Sequence, residues 1–230
     1  VQGLKIDPDG IYVDVTFGGG GHSRAILQKL SESGRLLAFD QDLDSLQNEI
    51  TDHRFELIRA NFSHLNQHLK FKGISTVDGI LADFGISSHQ FDSGSRGFST
   101  RLEGPLDMRM NTQNPLSAYE VVNEYSSEDL QRIFRSYGEL RIAKKLANII
   151  ISERSQSPIE TTQALVNLLA PTLPKHVFNK IIAKVFQAIR IDVNSELDVI
   201  KLFLEQSVKV LNRGGRLVCI SYHSLEDRLV

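Results

Sequence analysis

The fold follows from one stretch near the start of the chain, Ile11-Tyr-Val-Asp14-Val-Thr-Phe-Gly18-Gly-Gly-Gly21-His-Ser23. The apolar run over residues 11–15 predicts a buried strand, and the residues after the glycines have the apolar spacing of a helix. A glycine run between a strand and a helix lets the backbone approach a bound molecule closely, and the free N–H groups of a helix start attract polar or anionic groups. We therefore interpret the four residues that begin at Gly18 as a ligand-binding loop.

The pattern of a strand followed by a helix continues over the next sixty or so residues. Short apolar runs predict three further strands, at residues 35–39, 55–59 and 77–82, and amphipathic stretches predict helices at residues 42–50 and 63–71. Strands that alternate with helices form parallel sheets with helices on their faces. The sequence therefore predicts an α/β protein with a doubly wound, Rossmann-like sheet.

The alternation stops after the fourth predicted strand. Residues 84–118 are rich in Gly, Ser, Arg and Asp without a regular apolar period, and loops of such length are usually functional. Helical patterns follow at residues 126–137, 140–154, 162–169, 177–189 and 195–211, and a last apolar strand is predicted at residues 216–221. We predict a core of residues 1–104 and 186–230, interrupted by an all-helical domain of residues 105–185.

Composition excludes several classes of protein. Hydrophobic residues make up 41% of the 230 residues and the net charge is −2, so intrinsic disorder is not expected. No apolar run reaches the roughly 18 residues of a membrane span, and the first residues lack a signal-peptide pattern, so we expect a soluble, cytoplasmic protein without a membrane partner. The single cysteine, Cys219, excludes a disulfide framework and a multi-cysteine zinc site. Because the chain starts with Val1 and stops where a helix is beginning, we expect both ends to be trimmed.

A metal site is not expected. His64 and His68 have the i, i+4 spacing of some zinc ligands, but no Glu follows the first histidine and no third ligand is apparent, so a solvated helix face is the better interpretation. The run Asp40-Gln-Asp-Leu-Asp44 resembles the start of a calcium loop, yet Ser45 and Thr51 stand where that loop needs Gly and Glu.

The position of an acidic residue indicates which nucleotide-type ligand the loop binds. A nicotinamide dinucleotide site usually has glycines directly after the strand, because its pyrophosphate sits on the helix start. Here Asp14 ends the strand and the glycines begin four residues later, so a carboxylate that would repel a pyrophosphate lies beside the loop. The same carboxylate could hold the ammonium of an amino acid, which favours S-adenosylmethionine bound at Asp14 and Gly18. A nicotinamide-dependent oxidoreductase is the enzymatic alternative.

Two further carboxylates end predicted strands. Asp40 lies twenty residues after Gly20, where an acidic side chain accepts the ribose hydroxyls of a bound nucleotide. Asp83 ends the fourth predicted strand, at the edge where doubly wound sheets bind their substrates, and a plain structural cap is its alternative role. Residues 96–110 place Arg109 and other polar residues in a long loop that could cover a flipped base or a cofactor.

Ordered motifs make the chain resemble a known family, the bacterial S-adenosylmethionine-dependent methyltransferases that modify N4 of a cytosine in 16S ribosomal RNA. The matching stretches cover essentially the whole chain in family order: Asp14-Val-Thr-Phe-Gly-Gly-Gly-Gly-His-Ser23, Phe39-Asp-Gln-Asp42, Asp83-Phe-Gly-Ile-Ser-Ser-His-Gln90, Arg96-Gly-Phe-Ser99, Pro105-Leu-Asp-Met-Arg-Met110, Tyr137-Gly-Glu139, Phe186-Gln-Ala-Ile-Arg-Ile191, Asn194-Ser-Glu-Leu197 and Ser221-Tyr-His-Ser-Leu-Glu-Asp-Arg228.

The resemblance implies a cofactor site and a substrate domain. The cofactor contacts that it implies are Gly20, Gly21 and His22 in the loop, Asp40 on the ribose, Phe62 beside the adenine, Asp83 and Gln90. It also implies that the inserted helical domain recognises the substrate. Three departures from the family pattern are Asn111, where Asp is usual, Ala183-Lys-Val185, where Ala-Thr-Arg-Thr is usual before Phe186, and Tyr222, where Phe is usual.

The implied reaction needs a group that accepts a hydrogen bond or a proton from the cytosine amine. The lone pair of that amine is delocalised into the ring, so the enzyme must orient the nitrogen as it pyramidalises. Asp83 is the first candidate for the catalytic acceptor, and Ser87 and Ser88 are the next. The alternative outside enzymes is a non-catalytic ribosome-binding factor with a relic cofactor pocket, which has no need of these three residues.

The net charge conceals a basic segment. Residues 132–190 contain ten Lys and Arg residues against three Glu, a net charge of +7, which leaves −9 on the rest of the chain. Lys180 and Lys184 stand one helical turn apart in this segment, and we predict that they contact phosphates of 16S ribosomal RNA in the small ribosomal subunit. A solvated helix face is the alternative. Arg109 and Arg190 are predicted RNA contacts as well.

Overall fold

A computed structural model of the protein describes residues 1–230, with the single exception of the Ser88 side chain. The chain forms two compact units, residues 1–87 with 197–230 and residues 88–196. The second unit interrupts the first along the chain. The predicted domain bounds, 105 and 185, fall inside the second unit and stay a prediction, because compactness alone does not define a domain that folds by itself.

The described backbone contains five strands and ten α-helices. The strands are β1 (Ile11–Asp14), β2 (Arg35–Asp40), β3 (Phe55–Arg59), β4 (Val77–Asp83) and β5 (Leu211–Ile220). The helices are α1 (Gly21–Leu27), α2 (Leu65–Phe71), α3 (Ser88–Asp92), α4 (Ala118–Glu124), α5 (Ser127–Ser136), α6 (Ala143–Arg154), α7 (Thr162–Leu169), α8 (Phe178–Asn194), α9 (Glu196–Val210) and α10 (Ser224–Asp227).

The five strands form one parallel sheet in the order β3-β2-β1-β4-β5. The chain first moves from β1 outward to β3 and then returns to the other side of β1 for β4, so the direction of winding reverses between β1 and β4. Ligands of doubly wound sheets bind beyond the carboxyl ends of the strands at such a reversal. The predicted fold class is confirmed, and Asp14 and Asp83 end the two strands at this point.

The three central strands β1, β2 and β4 are buried on both faces, which explains why they read as nearly continuous apolar runs. Alternate residues of a strand point to opposite faces. Val13 and Leu37 belong to one buried apolar cluster, and Tyr12 and Leu36 belong to the other. Since a shift of one residue would exchange the two faces, this packing fixes the strand register and the positions of the residues that follow each strand.

The first four predicted strands agree with the structure to within one residue, and two other predictions are corrected. β5 begins at Leu211, five residues before the predicted strand, and Gly214 adopts a φ of 87° within it. The predicted helix at residues 42–50 is wrong, since a 3₁₀ helix spans Leu43–Asn48. This segment buries only Ser45, so it has no apolar face that would stabilise a longer α-helix.

The segment predicted as an irregular loop, residues 84–118, contains α3 and the start of α4. α4 begins with a capping box, in which the Ser117 hydroxyl accepts the Tyr119 N–H at 3.1 Å and a Glu120 carboxylate oxygen accepts the Ser117 N–H at 2.7 Å. The spacing Ser117-Ala-Tyr-Glu120 is typical of a helix start, and it is the signal that the sequence prediction overlooks.

The second unit is helical, and its helix ends follow local signals. α5 starts after Ser126, whose hydroxyl accepts the Asp129 N–H at 3.0 Å, as the sequence predicts. α8 runs to Asn194, five residues beyond its predicted end, and Ser195 then adopts a left-handed φ of 50° before α9 begins. None of the described helices is long and apolar enough to cross a bilayer.

Candidate active site

Hydrogen bonds hold the residues after β1 against the end of β4. The two strands are paired so that Asp14 lies opposite Leu81. The N–H of Val15 donates to the Leu81 carbonyl at 2.9 Å, and the N–H of Asp83 donates to the Thr16 hydroxyl at 2.7 Å. The residues before the glycine loop and the main chain at Asp83 are therefore joined where the sheet topology indicates a ligand site.

Asp14 forms hydrogen bonds with residues on both sides of the glycine loop. Its side chain is completely buried, with one oxygen accepting the Ser23 hydroxyl at 2.7 Å and the other accepting the Thr16 N–H at 3.2 Å. Burial raises the pKa of Asp14. Because Ser23 belongs to α1, these bonds connect the end of β1 to the helix on the far side of the loop. The predicted contact of Asp14 with the cofactor ammonium stays a prediction.

Two of the four glycines have backbone angles that favour glycine, and the other two line open space. Gly18 and Gly20 have φ angles of 51° and 74°. A Cβ on Gly20 would also lie 2.7 Å from the Arg24 Nη1 atom, at the end of a flexible side chain, and 3.0 Å from two ring atoms of Phe17, which is buried. A Cβ on Gly19 or Gly21 would meet no described atom within 4 Å. The main chain of the loop is therefore uncovered at Gly19 and Gly21, so a bound ligand can approach it closely.

Asp40 ends β2 and faces the glycine loop. One carboxylate oxygen accepts the Gly18 N–H at 2.8 Å, and the other accepts the Asp42 N–H at 2.8 Å. Burial raises the pKa of Asp40 to about 6. Each carboxylate oxygen has two lone pairs, so each can accept one further hydrogen bond. The ionised side chain can therefore receive the two hydroxyls of a ribose, which is its predicted role.

Asp83 is a carboxylate held from two sides. Oδ2 lies 3.3 Å from Nε2 of His22, and Oδ1 accepts the hydroxyl of Tyr222 at 2.9 Å. The side chain of Asp83 is 25% exposed, so it remains accessible to a ligand. The hydrogen bond to the carboxylate raises the pKa of Tyr222, and the phenol stays protonated at neutral pH as a donor.

Phe62, the residue predicted to lie beside the adenine, follows β3 and belongs to an aromatic cluster. Its ring centroid lies 5.3 Å from that of Phe203 and 6.3 Å from that of Phe84. Phe84 and Phe203 are buried, whereas Phe62 is only partly buried. The cluster therefore fixes Phe62 and leaves part of its ring open to a planar ligand, although the adenine contact stays a prediction.

The other predicted site residues lie in or beyond the turn after β4. Ser87 lies against the glycine loop, since a Cβ on Gly18 would be 3.5 Å from the Ser87 Cβ. The side chain of Ser88, the third predicted catalytic group, lies outside the described residues. Gln90 is buried in α3 of the second unit, and its cofactor contact stays a prediction.

The two predicted RNA-binding arginines form ion pairs inside the second unit. The Arg109 guanidinium donates to both carboxylate oxygens of Asp107, at 3.1 and 2.7 Å. Arg190 donates to both carboxylate oxygens of Glu196, at 2.8 and 3.0 Å, and its side chain is 14% exposed. Each positive charge is therefore paired with a carboxylate, and the predicted RNA contacts of both arginines stay predictions.

The two predicted RNA-binding lysines lie on α8. Lys180 is exposed. Lys184 is partly buried, with its Nζ atom 3.8 Å from a Glu139 carboxylate oxygen. The pair thus projects from one helix of the basic segment, as its spacing predicts, and its contact with RNA stays a prediction.

Two contacts of the site were not predicted from the sequence. Thr16 accepts the Asp83 N–H, and Tyr222 donates to the Asp83 carboxylate. The signal for Tyr222 is its place after the last strand, because β5 pairs with β4 so that Ile220 lies opposite Asp83. A residue directly after β5 is thereby brought to the same edge of the sheet as Asp83.

Comparison with known proteins identifies the family. Residues 1–230 match one family over their whole length, the MraW methylase family. The chain belongs to this family. Three relatives carry the name Ribosomal RNA small subunit methyltransferase H. Those of Christiangramia forsetii and Flavobacterium johnsoniae are each 58% identical to this chain, and that of Bacteroides fragilis strain YCH46 is 50% identical. In each case the match covers 100% of this chain and 76% of the relative.

Membership of the MraW methylase family confirms the resemblance drawn from the ordered motifs. The predicted methyltransferase activity is confirmed with it. A nicotinamide-dependent oxidoreductase and a non-catalytic factor with a relic pocket are not supported, since the relatives that match over the whole chain are named as methyltransferases.

Proposed function

We propose that this MraW methylase transfers a methyl group from S-adenosylmethionine to N4 of a cytosine in 16S ribosomal RNA of the small ribosomal subunit. The observation that carries the proposal is the Asp83 carboxylate, held by His22 and Tyr222 at the sheet reversal, on a residue whose main-chain N–H donates to Thr16 just before the glycine loop. The names of the relatives support the small-subunit RNA as the substrate.

The residues around the loop fit S-adenosylmethionine. The uncovered main chain at Gly19 and Gly21 suits the amino-acid end of S-adenosylmethionine, and the Asp40 carboxylate suits its ribose hydroxyls. When bound, S-adenosylmethionine supplies a methyl group on a positively charged sulfur that keeps the bonding electron pair when the base nitrogen attacks the methyl carbon, so that neutral S-adenosylhomocysteine is the leaving group. Asp40, in its ionised form, would fix the ribose and hence the direction of the methyl group.

Asp83 would act on the target amine. As the new bond between nitrogen and carbon forms, positive charge develops on N4, and one N–H proton must leave to give the neutral N4-methylcytosine. A carboxylate that accepts this N–H stabilises the developing charge and then takes the proton, which passes on to solvent. The partly exposed Asp83 side chain at the reversal of the sheet has the chemistry and the accessibility for this role.

The rest of the site would keep Asp83 in place. Thr16 accepts the Asp83 main-chain N–H, so the end of β4 cannot move independently of the loop after β1. His22 lies on the Oδ2 side at 3.3 Å, within the first turn of α1. Preorganised contacts of this kind reduce the reorganisation that the transition state would otherwise require.

Transfer of isotopically labelled methyl groups tests the proposal. S-adenosylmethionine with a labelled methyl group is incubated with the protein and, in parallel reactions, with unmethylated small ribosomal subunits, large subunits and duplex DNA. We expect label in the RNA of the small subunit and none above background in the other two substrates. Label only in DNA or in ribosomal protein, or failure of calorimetry to detect S-adenosylmethionine binding where NADH binds, would refute the proposal.

A further inference from the structure

Tyr222 is an exposed aromatic residue with a fixed polar contact. It follows β5 and is 69% exposed, among the most exposed large hydrophobic side chains of the described chain. Its hydroxyl nevertheless donates to Oδ1 of Asp83 at 2.9 Å. Burial of the ring contributes little at such exposure, so packing alone does not explain why the side chain takes this position.

The main chain of Tyr222 is held by a buried carboxylate. Its N–H donates to Oε2 of Glu226 at 2.8 Å, and Glu226 is completely buried in α10. On the other side, the ring lies over the turn after β4, where a Cβ on Gly85 would be 3.6 Å from the Tyr222 Cδ2 atom. Gly85 has a φ of 98°, which favours glycine. The Tyr222 main chain is thus held by Glu226, its ring lies beside Gly85, and its hydroxyl is directed at Asp83.

We propose that Tyr222 is a positioning residue for the Asp83 carboxylate. The inference rests on the proposed function, in which Asp83 accepts an N–H of the target amine. The terminal torsion of an aspartate is broad and roughly two-fold, so a partly exposed carboxylate with one partner can turn and exchange its oxygens. Tyr222 holds Oδ1, and the plane of the carboxylate is then set with Oδ2 on the side of His22 and the glycine loop.

The role is specific to this chain's tyrosine, because the aromatic ring alone cannot donate this hydrogen bond. Tyr222→Phe removes the hydroxyl and keeps the ring, and since the residue is exposed, the variant is expected to fold. In single-turnover methylation with RNA and S-adenosylmethionine both saturating, we expect the rate to fall by about tenfold. The dissociation constants for RNA and for S-adenosylmethionine should stay within about twofold of the wild-type values.

Combination with Asp83→Asn separates positioning from a general effect on the site. In Asp83→Asn, the Tyr222 hydroxyl would donate to the single side-chain oxygen of residue 83. The amide nitrogen of that side chain would then face the target amine. Tyr222→Phe should therefore cause no further fall in the Asp83→Asn background, whereas independent effects would multiply. Tyr125→Phe is the matched control, because it removes another phenol that donates to an aspartate, Asp192 at 2.7 Å in the second unit.

The outcomes distinguish this inference from the proposed function. A tenfold loss that disappears in the Asp83→Asn background supports positioning by Tyr222. A single-turnover rate within twofold of wild type in Tyr222→Phe, an equal loss in both backgrounds, an equal loss in Tyr125→Phe, or a loss confined to RNA affinity would overturn it. A wild-type rate in Asp83→Asn alone would instead contradict the catalytic role of Asp83, and the absence of any methyl transfer by the wild-type protein would contradict the proposed function itself.

Discussion

At the scale of single residues, the site depends on carboxylates with different surroundings. Asp14 is completely buried and hydrogen bonded within the fold, so it stabilises the loop. Asp40 is hydrogen bonded to two main-chain N–H groups, with acceptor capacity left for a ligand. Asp83 is partly exposed and is held by side chains. These surroundings fit the proposed roles of Asp40 with the cofactor and of Asp83 in catalysis, and the contact of Asp14 with the cofactor stays a prediction.

The raised pKa of Asp40, about 6, predicts that cofactor affinity depends on pH. The ionised carboxylate accepts both ribose hydroxyls, whereas the protonated form loses acceptor capacity, so affinity should fall as the pH falls through this value. Binding of S-adenosylmethionine, measured by calorimetry, should be about tenfold weaker near pH 5 than near pH 7.5.

The control for this dependence is Asp40→Asn, which cannot ionise. Its affinity should be lower by about 1.5 to 3 kcal/mol at neutral pH, because a charged acceptor is lost. It should also be nearly independent of pH over the same range. If the variant kept the wild-type pH dependence, the titrating group would be another one, such as Asp14, and the ribose role of Asp40 would be contradicted.

Asp83→Asn tests the catalytic role at the same scale. The amide keeps the shape of the side chain but is a weaker acceptor, so the loss should grow as charge develops on the target nitrogen. We expect single-turnover methylation with both substrates saturating to slow by about a hundredfold or more, with cofactor affinity changed by less than about threefold. A rate that returns to the wild-type value at saturating cofactor would assign Asp83 to cofactor binding and leave Ser87 and Ser88 as catalytic candidates.

The sequence predicts these carboxylates because each ends a strand, and the ends of parallel strands meet at one edge of the sheet. Tyr222 carries a similar signal, its place after a strand, but its partner does not follow from the sequence, because the contact with Asp83, 139 residues away, depends on the pairing of β5 with β4. Ion pairing of Arg190 with Glu196 is likewise a property of the folded chain, because Ser195 turns the backbone between their two helices.

At the scale of elements, the glycine loop allows the effect of backbone strain to be separated from the effect of a steric clash. Gly20 and Gly73 have similar φ angles, 74° and 69°, so alanine at either residue is strained. A Cβ on Gly20 would also press on the buried ring of Phe17, whereas one on Gly73 would meet no described atom within 4 Å. The two substitutions therefore differ chiefly in the clash within the loop.

We expect Gly73→Ala to lower the free energy of unfolding by about 1 to 2 kcal/mol without changing S-adenosylmethionine affinity. Gly20→Ala should cost clearly more stability and weaken cofactor binding by about tenfold or more, because the loop must move to relieve the contact with Phe17. Urea denaturation and calorimetry measure the two effects. Equal losses of stability with unchanged affinity in both variants would show that the shape of the loop at Gly20 is not needed for the cofactor.

Elements with a clear apolar pattern agree with the sequence prediction, and polar or weakly patterned ones do not. The predicted bounds of β3 and of α7 are those of the structure, because their apolar patterns and flanking turns are clear. The segment Leu43–Asn48 was predicted as an α-helix but forms a 3₁₀ helix, since it has too little apolar surface to bury. α4 begins inside a polar stretch that the apolar pattern does not predict as helix, although its capping box is visible in the sequence.

At the scale of the whole molecule, charge is divided unevenly along the chain. The segment of residues 132–190, with its net charge of +7, lies entirely in the second unit. Lys180 and Lys184 project from α8 of that unit. Attraction between this unit and an RNA backbone would be sensitive to salt, because bound lysines release counterions from the phosphates.

Neutralisation of Lys180 and Lys184 together, by substitution with Gln, should weaken RNA binding and flatten its dependence on salt by up to about two counterions. Cofactor affinity should not change. Gln avoids the repulsion from Glu139 that an acidic residue at 184 would meet. The matched control is the double substitution of Lys201 and Lys209 by Gln, which removes the same charge from α9. An unaltered salt slope in the α8 variant, or an equal change in the control, would place the RNA contact elsewhere.

The identity of the product tests N4 methylation of a cytosine in 16S ribosomal RNA at the Asp83 site. RNA from small subunits methylated with labelled S-adenosylmethionine is digested to nucleosides, which are separated and identified by mass spectrometry. We predict that the label is found in N4-methylcytidine and that Asp83→Asn strongly reduces this product. Label in 5-methylcytidine or in a methylated adenosine, with N4-methylcytidine absent, would contradict the account.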